Sequence, residues 1–173
     1  MSEEVYNIES ARYIFVIEDD AIQTEMLKDY LTERYLLEVK TYTNGEDALN
    51  DVAKFKPEIV VLDYHLNSSN RAAKNGIEIL KEIKAKSPES KVVMFSGEDN
   101  LNIALESMKS GSYDYIIKGE TAFNKLENVI NKLGDLHKME SINKAQKRTI
   151  TMLGIVIAII VIVAFIVVAK LQK

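Results

Sequence analysis

Five short apolar runs alternate with longer amphipathic segments along residues 13–133, and this alternation constrains the fold more than any other feature. The apolar runs predict strands at Tyr13–Ile17, Leu36–Tyr42, Glu58–Leu62, Lys91–Phe95 and Tyr113–Ile117. The amphipathic segments predict helices at Ala21–Arg34, Gly45–Phe55, Gly76–Lys86, Leu101–Ser110 and Thr121–Leu133. Strands and helices that alternate with short connections form a parallel sheet covered by helices on both faces. We therefore predict an α/β domain with a doubly wound five-stranded parallel sheet flanked by five helices, in which the first, third and fourth strands are buried on both faces.

Three acidic residues, Glu18, Asp19 and Asp20, directly follow the first predicted strand in the stretch VIEDD. Their like charges repel one another and resist removal from water. A helix cap explains one of them, because Asp20 is placed to accept hydrogen bonds from amides at the start of the helix that begins at Ala21. A helix cap does not explain Asp63, which ends the third predicted strand in VVLDYHL.

Polar side chains also end the last two predicted strands, Ser96 in VVMFSG and Lys118 in DYIIKG. Ligands of open parallel sheets bind at the carboxyl ends of the strands, so we expect these groups to converge with the acids at one edge. Clustered carboxylates favour a hard divalent cation, and Mg²⁺ takes a few oxygen ligands while it keeps several waters. The chain has no cysteine and only two histidines, which excludes thiolate sites and disfavours zinc. The sequence therefore predicts a magnesium site at this edge.

Residues 12–133 resemble the receiver domain of two-component response regulators. The resemblance rests on residues that occur in the family's order and on the expected elements: the acidic pair Glu18 and Asp19, the phosphoacceptor Asp63, the hydroxyl of Ser96, the aromatic Tyr115 and the lysine Lys118. It implies a flavodoxin-like sheet of strand order 2-1-3-4-5. It also implies that Asp63 accepts a phosphoryl group from the phosphohistidine of a histidine kinase or of a phosphotransfer protein.

The resemblance assigns a role to each site residue. Asp63 is the nucleophile, and Glu18, Asp19 and Asp63 hold Mg²⁺ together with the backbone carbonyl of His65. Lys118 pairs with one phosphoryl oxygen. These roles suit the residue types, because a divalent cation and an ammonium group neutralise charge on the phosphoryl group during transfer.

Two further residues form the implied switch. Ser96 donates a hydrogen bond to another phosphoryl oxygen, and Tyr115 turns inward as Ser96 moves, which reshapes the face of the fourth helix, fifth strand and fifth helix. His65 and Glu98, two residues past Asp63 and Ser96, are implied to line the approach to the phosphoryl group. By residue pattern alone, Tyr115 also fits an ordinary half-buried strand tyrosine.

The sequence departs from the family pattern in two places. Gly119 stands where the family usually has a proline, and since a non-proline cis bond costs about 3 kcal/mol we expect a trans peptide between Lys118 and Gly119. The loop LNSSNRAAKNG after the third strand is longer than usual and lacks a proline. We interpret this loop as a solvated insertion rather than as an element that slows loss of the phosphoryl group.

The segment 149–169, TITMLGIVIAIIVIVAFIVVA, contains no charged residue. About 20 helical residues at about 1.5 Å each span the ~30 Å hydrocarbon core of a bilayer, so this segment predicts a transmembrane helix. Four basic residues precede it closely and two follow it: Lys138, Lys144, Lys147 and Arg148, then Lys170 and Lys173. This bias predicts a single-pass tail anchor with the receiver domain in the cytoplasm. The first ten residues, MSEEVYNIES, do not resemble a signal peptide.

The predicted organisation is an extension at 1–11, the receiver domain at 12–133, a basic linker at 134–148, the membrane span at 149–169 and a short tail at 170–173. Six basic and two acidic residues from Gly134 onward give +4, and the remaining 16 basic and 24 acidic residues give −8 to residues 1–133. Such an acidic body repels phosphates, so no nucleic acid partner is expected. A homodimer is possible through the small residues Gly154 and Ala158, or through an apolar stripe on the fifth helix that otherwise packs on the sheet.

These observations predict a membrane-anchored, non-enzymatic response regulator that switches the binding of a downstream protein. The alternative is a membrane scaffold with a receiver fold that does not use phosphate. A haloacid-dehalogenase-type phosphatase is disfavoured because His65 stands where that family needs a second acid. A flavodoxin is disfavoured because no Ser/Thr/Gly-rich phosphate loop follows the first strand.

Overall fold

The computed structural model describes residues 13–66 and 73–171, apart from the side chains of residues 137, 138, 140–142, 144, 145, 156 and 158–171. Five strands lie in this part of the chain: β1 (Tyr13–Ile17), β2 (Glu38–Tyr42), β3 (Ile59–Leu62), β4 (Lys91–Ser96) and β5 (Asp114–Ile117). The helices are α1 (Ala21–Arg34), α2 (Gly45–Phe55), α3 (Gly76–Lys86), α4 (Leu101–Lys109) and α5 (Ala122–Leu171). All neighbouring strands pair in parallel, in the order β2-β1-β3-β4-β5. The predicted α/β sheet and its strand order are confirmed.

The three central strands form the middle of the core. Every residue of β3 is buried, and so is every residue of β1 and β4 except the first of each. Apolar side chains of α2 and α3 join them from one face of the sheet, among them Leu49, Val52, Ile79 and Leu80. Burial on both faces explains why the sequences of β1, β3 and β4 are continuous apolar runs, and it agrees with the prediction for these three strands.

The helices of the first unit begin at residues that cap their amides. The Asp20 carboxylate accepts from the amides of Ile22 at 2.8 Å and Gln23 at 2.9 Å, which confirms its predicted role as the α1 cap. Asn75 and Glu78 form a reciprocal capping box at the start of α3. These caps fix the points at which the chain leaves the carboxyl edge of the sheet.

The chain divides into two compact units, one ending at Glu127 and the other beginning at Asn128. The predicted end of the fifth helix at Leu133 is wrong, because α5 runs without interruption from Ala122 to Leu171. Gly134 costs about 1 kcal/mol in a helix interior relative to alanine. No proline follows it before Leu171, and Leu, Lys, Glu, Ala, Gln and Arg, which favour helix, make up most of residues 135–148.

Among the side chains that the structure describes, no helix is both long and apolar enough to cross a membrane. Most of the predicted span at 149–169 lies outside the described side chains, because those of residues 156 and 158–169 are not described. The membrane anchor therefore gains no support from the structure and stays a prediction. The domain boundaries also stay predictions.

Candidate functional site

Three carboxylates meet at the carboxyl edge of the sheet. Glu18 and Asp19 directly follow β1, Asp63 directly follows β3, and one oxygen of each lies within 4.8 Å of the others. The two strands are neighbours, and their pairing continues past the last strand residue because the Asp63 amide donates to the Ile17 carbonyl at 2.9 Å. The predicted convergence of these acids is therefore present in the structure.

Lys118, which directly follows β5, reaches across to two of the acids. Its Nζ donates to Oε2 of Glu18 at 2.7 Å and lies 3.2 Å from Oδ1 of Asp63. The backbone holds it there, since the Lys118 amide donates to the Ser96 carbonyl at 2.8 Å. The ammonium group thus lies against two of the three carboxylates of the cluster.

The electrostatics of the site favour a cation. Burial raises the pKa of Glu18 above its ordinary value and nearby Asp63 raises it further, although the hydrogen bond and charge of Lys118 act against both. Asp63 is 4% exposed, and its Oδ1 has no hydrogen bond of good geometry among the described residues, although the Lys118 ammonium lies close. A buried carboxylate oxygen without a hydrogen bond is costly unless a cation approaches it.

The donor set fits Mg²⁺, because it consists of hard oxygen atoms from Glu18, Asp19 and Asp63. The carbonyl of His65 belongs to the loop that leaves Asp63 and stays a predicted ligand. Within the described part of the chain, the cluster consists of carboxylates alone.

Ser96 and Tyr115 lie beside these acids. Ser96, the last residue of β4, is fully buried, and its Oγ accepts from the amide of Glu98 at 3.1 Å. Tyr115 on β5 is half-buried, and its hydroxyl donates to the carbonyl of Glu98 at 2.8 Å. Burial is the main reason that the pKa of Tyr115 is raised; a hydrogen bond with the Ser96 side chain opposes the rise, and the charges of Glu98 and Asp63 add to it. The structure brings the two predicted switch residues together through Glu98.

The two departures from the family pattern have different outcomes. None of the described peptide bonds is cis, so the predicted trans bond before Gly119 is confirmed. The loop after β3 is described only in part, because residues 67–72 lie outside the described residues. At its end, Lys74 Nζ pairs with Glu82 at 2.5 Å and the Lys74 amide donates to Oε1 of Glu46 at 3.3 Å.

Sequence reasoning missed two residues that support the acids. The hydroxyl of Thr24 on α1 donates to the carbonyl of Glu18 at 3.1 Å and to that of Asp20 at 2.8 Å. Gly76 at the start of α3 packs so closely on Asp63 that a Cβ at this position would overlap the Asp63 carbonyl oxygen. The sequence predicted that a helix begins at Gly76, but no sequence signal indicated the close approach.

Comparison with known proteins points to one family. A family model described as the response regulator receiver domain matches residues 14–131. The chain is 30% identical over 105 residues to the chemotaxis protein CheY of Thermotoga maritima, across 61% of this chain and 83% of that protein. It is also 30% identical over 122 residues to a protein-glutamate methylesterase/protein-glutamine glutaminase of Archaeoglobus fulgidus. The match covers 69% of this chain but only 33% of that longer protein, so it concerns one part of it.

Solved structures agree with the sequence matches. The crystal structure of the receiver domain of NtrX from Brucella abortus superposes with a TM-score of 0.61 at 30% identity. The similarity covers 69% of this chain and 96% of that domain. The similarity in fold thus extends over nearly the whole length of a known receiver domain.

Proposed function

The chain belongs to the response regulator receiver family, and from this premise we propose that it is a membrane-anchored signalling switch that accepts a phosphoryl group on Asp63. The observation that carries the proposal is the meeting of three carboxylates and Lys118 at the carboxyl edge of the sheet. The donor is the phosphohistidine of a histidine kinase or of a phosphotransfer protein. The chain acts through protein binding and not as an enzyme on other substrates.

The transfer uses the chain's own residues as follows. A carboxylate oxygen of Asp63 attacks phosphorus, the bond from phosphorus to the donor nitrogen breaks, and its electron pair stays on the imidazole. Lys118 stabilises a phosphoryl oxygen electrostatically, and the Ser96 hydroxyl donates to another. Glu18, Asp19 and Asp63 would hold Mg²⁺, which would neutralise charge on the transferring group.

Movement of Ser96 and Tyr115 after phosphorylation then changes the nearby protein surface at α4. Ser96 is buried beside the site and is linked through Glu98 to Tyr115, so movement of Ser96 toward the phosphoryl group disturbs the contact of the tyrosine. The downstream protein binds α4, where Leu101, Leu105 and Met108 form an exposed apolar stripe at helical spacing.

Labelling with acetyl phosphate and Mg²⁺ tests the proposed phosphoacceptor. We expect label on the 173-residue chain in detergent, lost in Asp63→Asn and absent when Mg²⁺ is removed with a chelator. Asp20→Asn is the matched control, because asparagine also caps α1 and the label should persist. Labelling of Asp63→Asn at the parental rate would refute the assignment and leave the phosphate-independent scaffold as the better account.

Membrane anchoring is supported by the apolar segment at 149–169 and by the exposure of its first side chains. Five apolar side chains at its start are each at least 52% exposed, and at about 100° per residue they spread over about 220° of the helix circumference: Ile150, Met152, Leu153, Ile155 and Ile157. A partner protein covers one stripe of a helix, whereas lipid covers every side. A lipid bilayer is therefore the proposed surrounding of this segment, with the receiver domain in the cytoplasm.

Alkaline carbonate extraction of membranes tests the anchor. We expect the chain to stay in the membrane pellet, and the double variant Ile155→Asp/Ile157→Asp to move to the supernatant, because a carboxylate in the bilayer core costs about 3 kcal/mol. The control Ile22→Asp changes an exposed residue of α1 and should not alter the distribution. Recovery of the parent chain in the supernatant would contradict the anchor without affecting the phosphoacceptor.

A further inference from the structure

One face of α5 carries a seven-residue repeat of exposed side chains, which we call the heptad face. Its members alternate at spacings of three and four residues along residues 136–157: Leu136, Met139, Asn143, Gln146, Ile150, Leu153 and Ile157. All seven side chains are exposed, and the apolar ones are 46–70% exposed. At about 100° per residue they lie within a sector of about 100° on the helix. The heptad face is therefore open to contact with another helix.

The residue types on this face are those of a parallel two-stranded coiled coil. In such a coil the contact between helices is made by the a and d positions of each heptad. The a positions hold Leu136, Asn143, Ile150 and Ile157, and the d positions hold Met139, Gln146 and Leu153. A β-branched residue at a with leucine at d favours two strands, and one asparagine at an a position fixes the register. Ile150, Leu153 and Asn143 meet these requirements.

The heptad face runs from the basic linker into the proposed membrane span. Left-handed crossings of about +20° occur both in coiled coils and in most membrane helix bundles, so one interface can continue from water into lipid. Met152 and Ile155 are exposed but lie off this face, and they stay available to lipid. Two copies that insert the same end into one membrane are parallel. This orientation places the two Asn143 side chains opposite each other.

We propose that the heptad face binds the same face of a second copy, which makes the chain a parallel homodimer along residues 136–157. This inference rests on the membrane anchor of the proposed function, which sets the parallel orientation, and does not depend on phosphoryl transfer to Asp63. The two Asn143 amides pair across the interface, because each has both a donor and an acceptor. Two receiver domains are thereby held in one complex.

Disulfide formation between single cysteines tests the interface, because the chain has no cysteine of its own. The 173-residue variants are reconstituted in phosphatidylcholine vesicles and oxidised, and the linked dimer is measured over time. We expect Gln146→Cys and Leu153→Cys to react at least about fivefold faster than Arg148→Cys and Ile155→Cys, because a disulfide needs two closely facing cysteines. Each control lies two residues from its partner, about 200° around the helix and at a similar depth.

A charge placed on the heptad face provides a second measurement. In the Gln146→Cys chain, Asn143→Asp should slow cross-linking by about fivefold or more, because two carboxylates then face each other in place of two amides. Asn124→Asp adds the same charge to α5 outside the heptad face and should leave the rate unchanged. A tenfold higher ratio of lipid to protein should slow Gln146→Cys by less than about twofold, since the two cysteines belong to one dimer.

The contrary outcomes separate this interface from the rest of the proposed function. Equal rates within each pair of cysteine variants, or a rate for Gln146→Cys that falls in proportion to dilution, would show random collision. Either result overturns the dimer while the labelling of Asp63 stands. A parent chain that does not remain with the vesicles would overturn the proposed membrane anchor together with this interface.

Discussion

Gly76 shows how one residue without a side chain fixes the position of Asp63, the proposed phosphoacceptor. Its α-carbon lies against the backbone of Asp63 and Tyr64, where a Cβ would overlap. We expect Gly76→Ala to lower the free energy of unfolding by about 1–3 kcal/mol, as for an overpacked core, and to weaken Mg²⁺ binding because Asp63 is displaced. Urea unfolding and a Mg²⁺ titration followed by NMR of the Asp63 amide measure the two effects.

Gly97 provides the matched control for that substitution. It lies at the same edge of the sheet, and a Cβ there meets no atom within 4 Å. Gly97→Ala should therefore leave Mg²⁺ binding unchanged. Equal effects of the two alanine variants on Mg²⁺ binding would show that the close approach of Gly76 has no special importance.

Glu18 sets the pH dependence of cation binding. Because burial raises its pKa above the ordinary value of 4.5, the folded protein favours the protonated form, and this contribution to stability is present below pH 4.5 and is lost as pH rises through the folded-state pKa. Mg²⁺ needs the carboxylate. We therefore expect Mg²⁺ to raise the melting temperature more at pH 7 than near pH 4.5, and Glu18→Gln to flatten this dependence. A Mg²⁺ effect in the parent chain that is the same at both pH values would contradict the role of Glu18.

At the scale of residues, the sequence predicts which side chains reach the site but not how they pair. Four site residues lie at the carboxyl ends of strands, namely Glu18, Asp63, Ser96 and Lys118. Parallel strands bring these ends to one edge of the sheet regardless of the loop conformations. The preference of Lys118 for Glu18 over Asp63 and the contact between His65 and Glu98 depend on loop conformation, for which the sequence carries no periodic signal.

The N-terminus of α3 connects a local capping motif to the site. Asn75 caps this helix, and the next residue, Gly76, contacts Asp63. We expect Asn75→Ala to cost about 1 kcal/mol of stability through loss of the cap, and also to weaken Mg²⁺ binding. Asn100→Ala removes the corresponding cap of α4, so it should cost a similar amount of stability and leave Mg²⁺ binding unchanged. A loss of Mg²⁺ affinity in Asn100→Ala as large as in Asn75→Ala would contradict this distinction.

Element positions follow closely from the sequence where a periodic pattern is bounded by a cap. Asp20, Asn44 and Asn75 mark the starts of α1, α2 and α3, and the predicted starts match the structure. The end of α5 was mispredicted because Gly134 and the change to a polar composition resembled a boundary. Helix propensity over residues 135–148 outweighs the cost of one glycine.

At the scale of the whole molecule, charge is divided between an acidic receiver region and a basic segment before the proposed membrane span. Under the positive-inside rule, Lys147→Gln/Arg148→Gln should shift part of the chain population to the opposite orientation. Protease protection in sealed inside-out vesicles measures this, since the parent receiver domain is digested and an inverted one is protected. Lys54→Gln/Lys56→Gln removes the same charge far from the span and should keep the parental orientation.

The order of elements along the chain also bears on biogenesis. Every described strand lies before Lys118, and the central strands β1, β3 and β4 are complete by Ser96. The ribosome therefore synthesises all five described strands before it synthesises the apolar segment at 149–169. Domains generally fold as units from the N-terminal side during synthesis, so the receiver domain can reach its native state before the proposed membrane span leaves the ribosome.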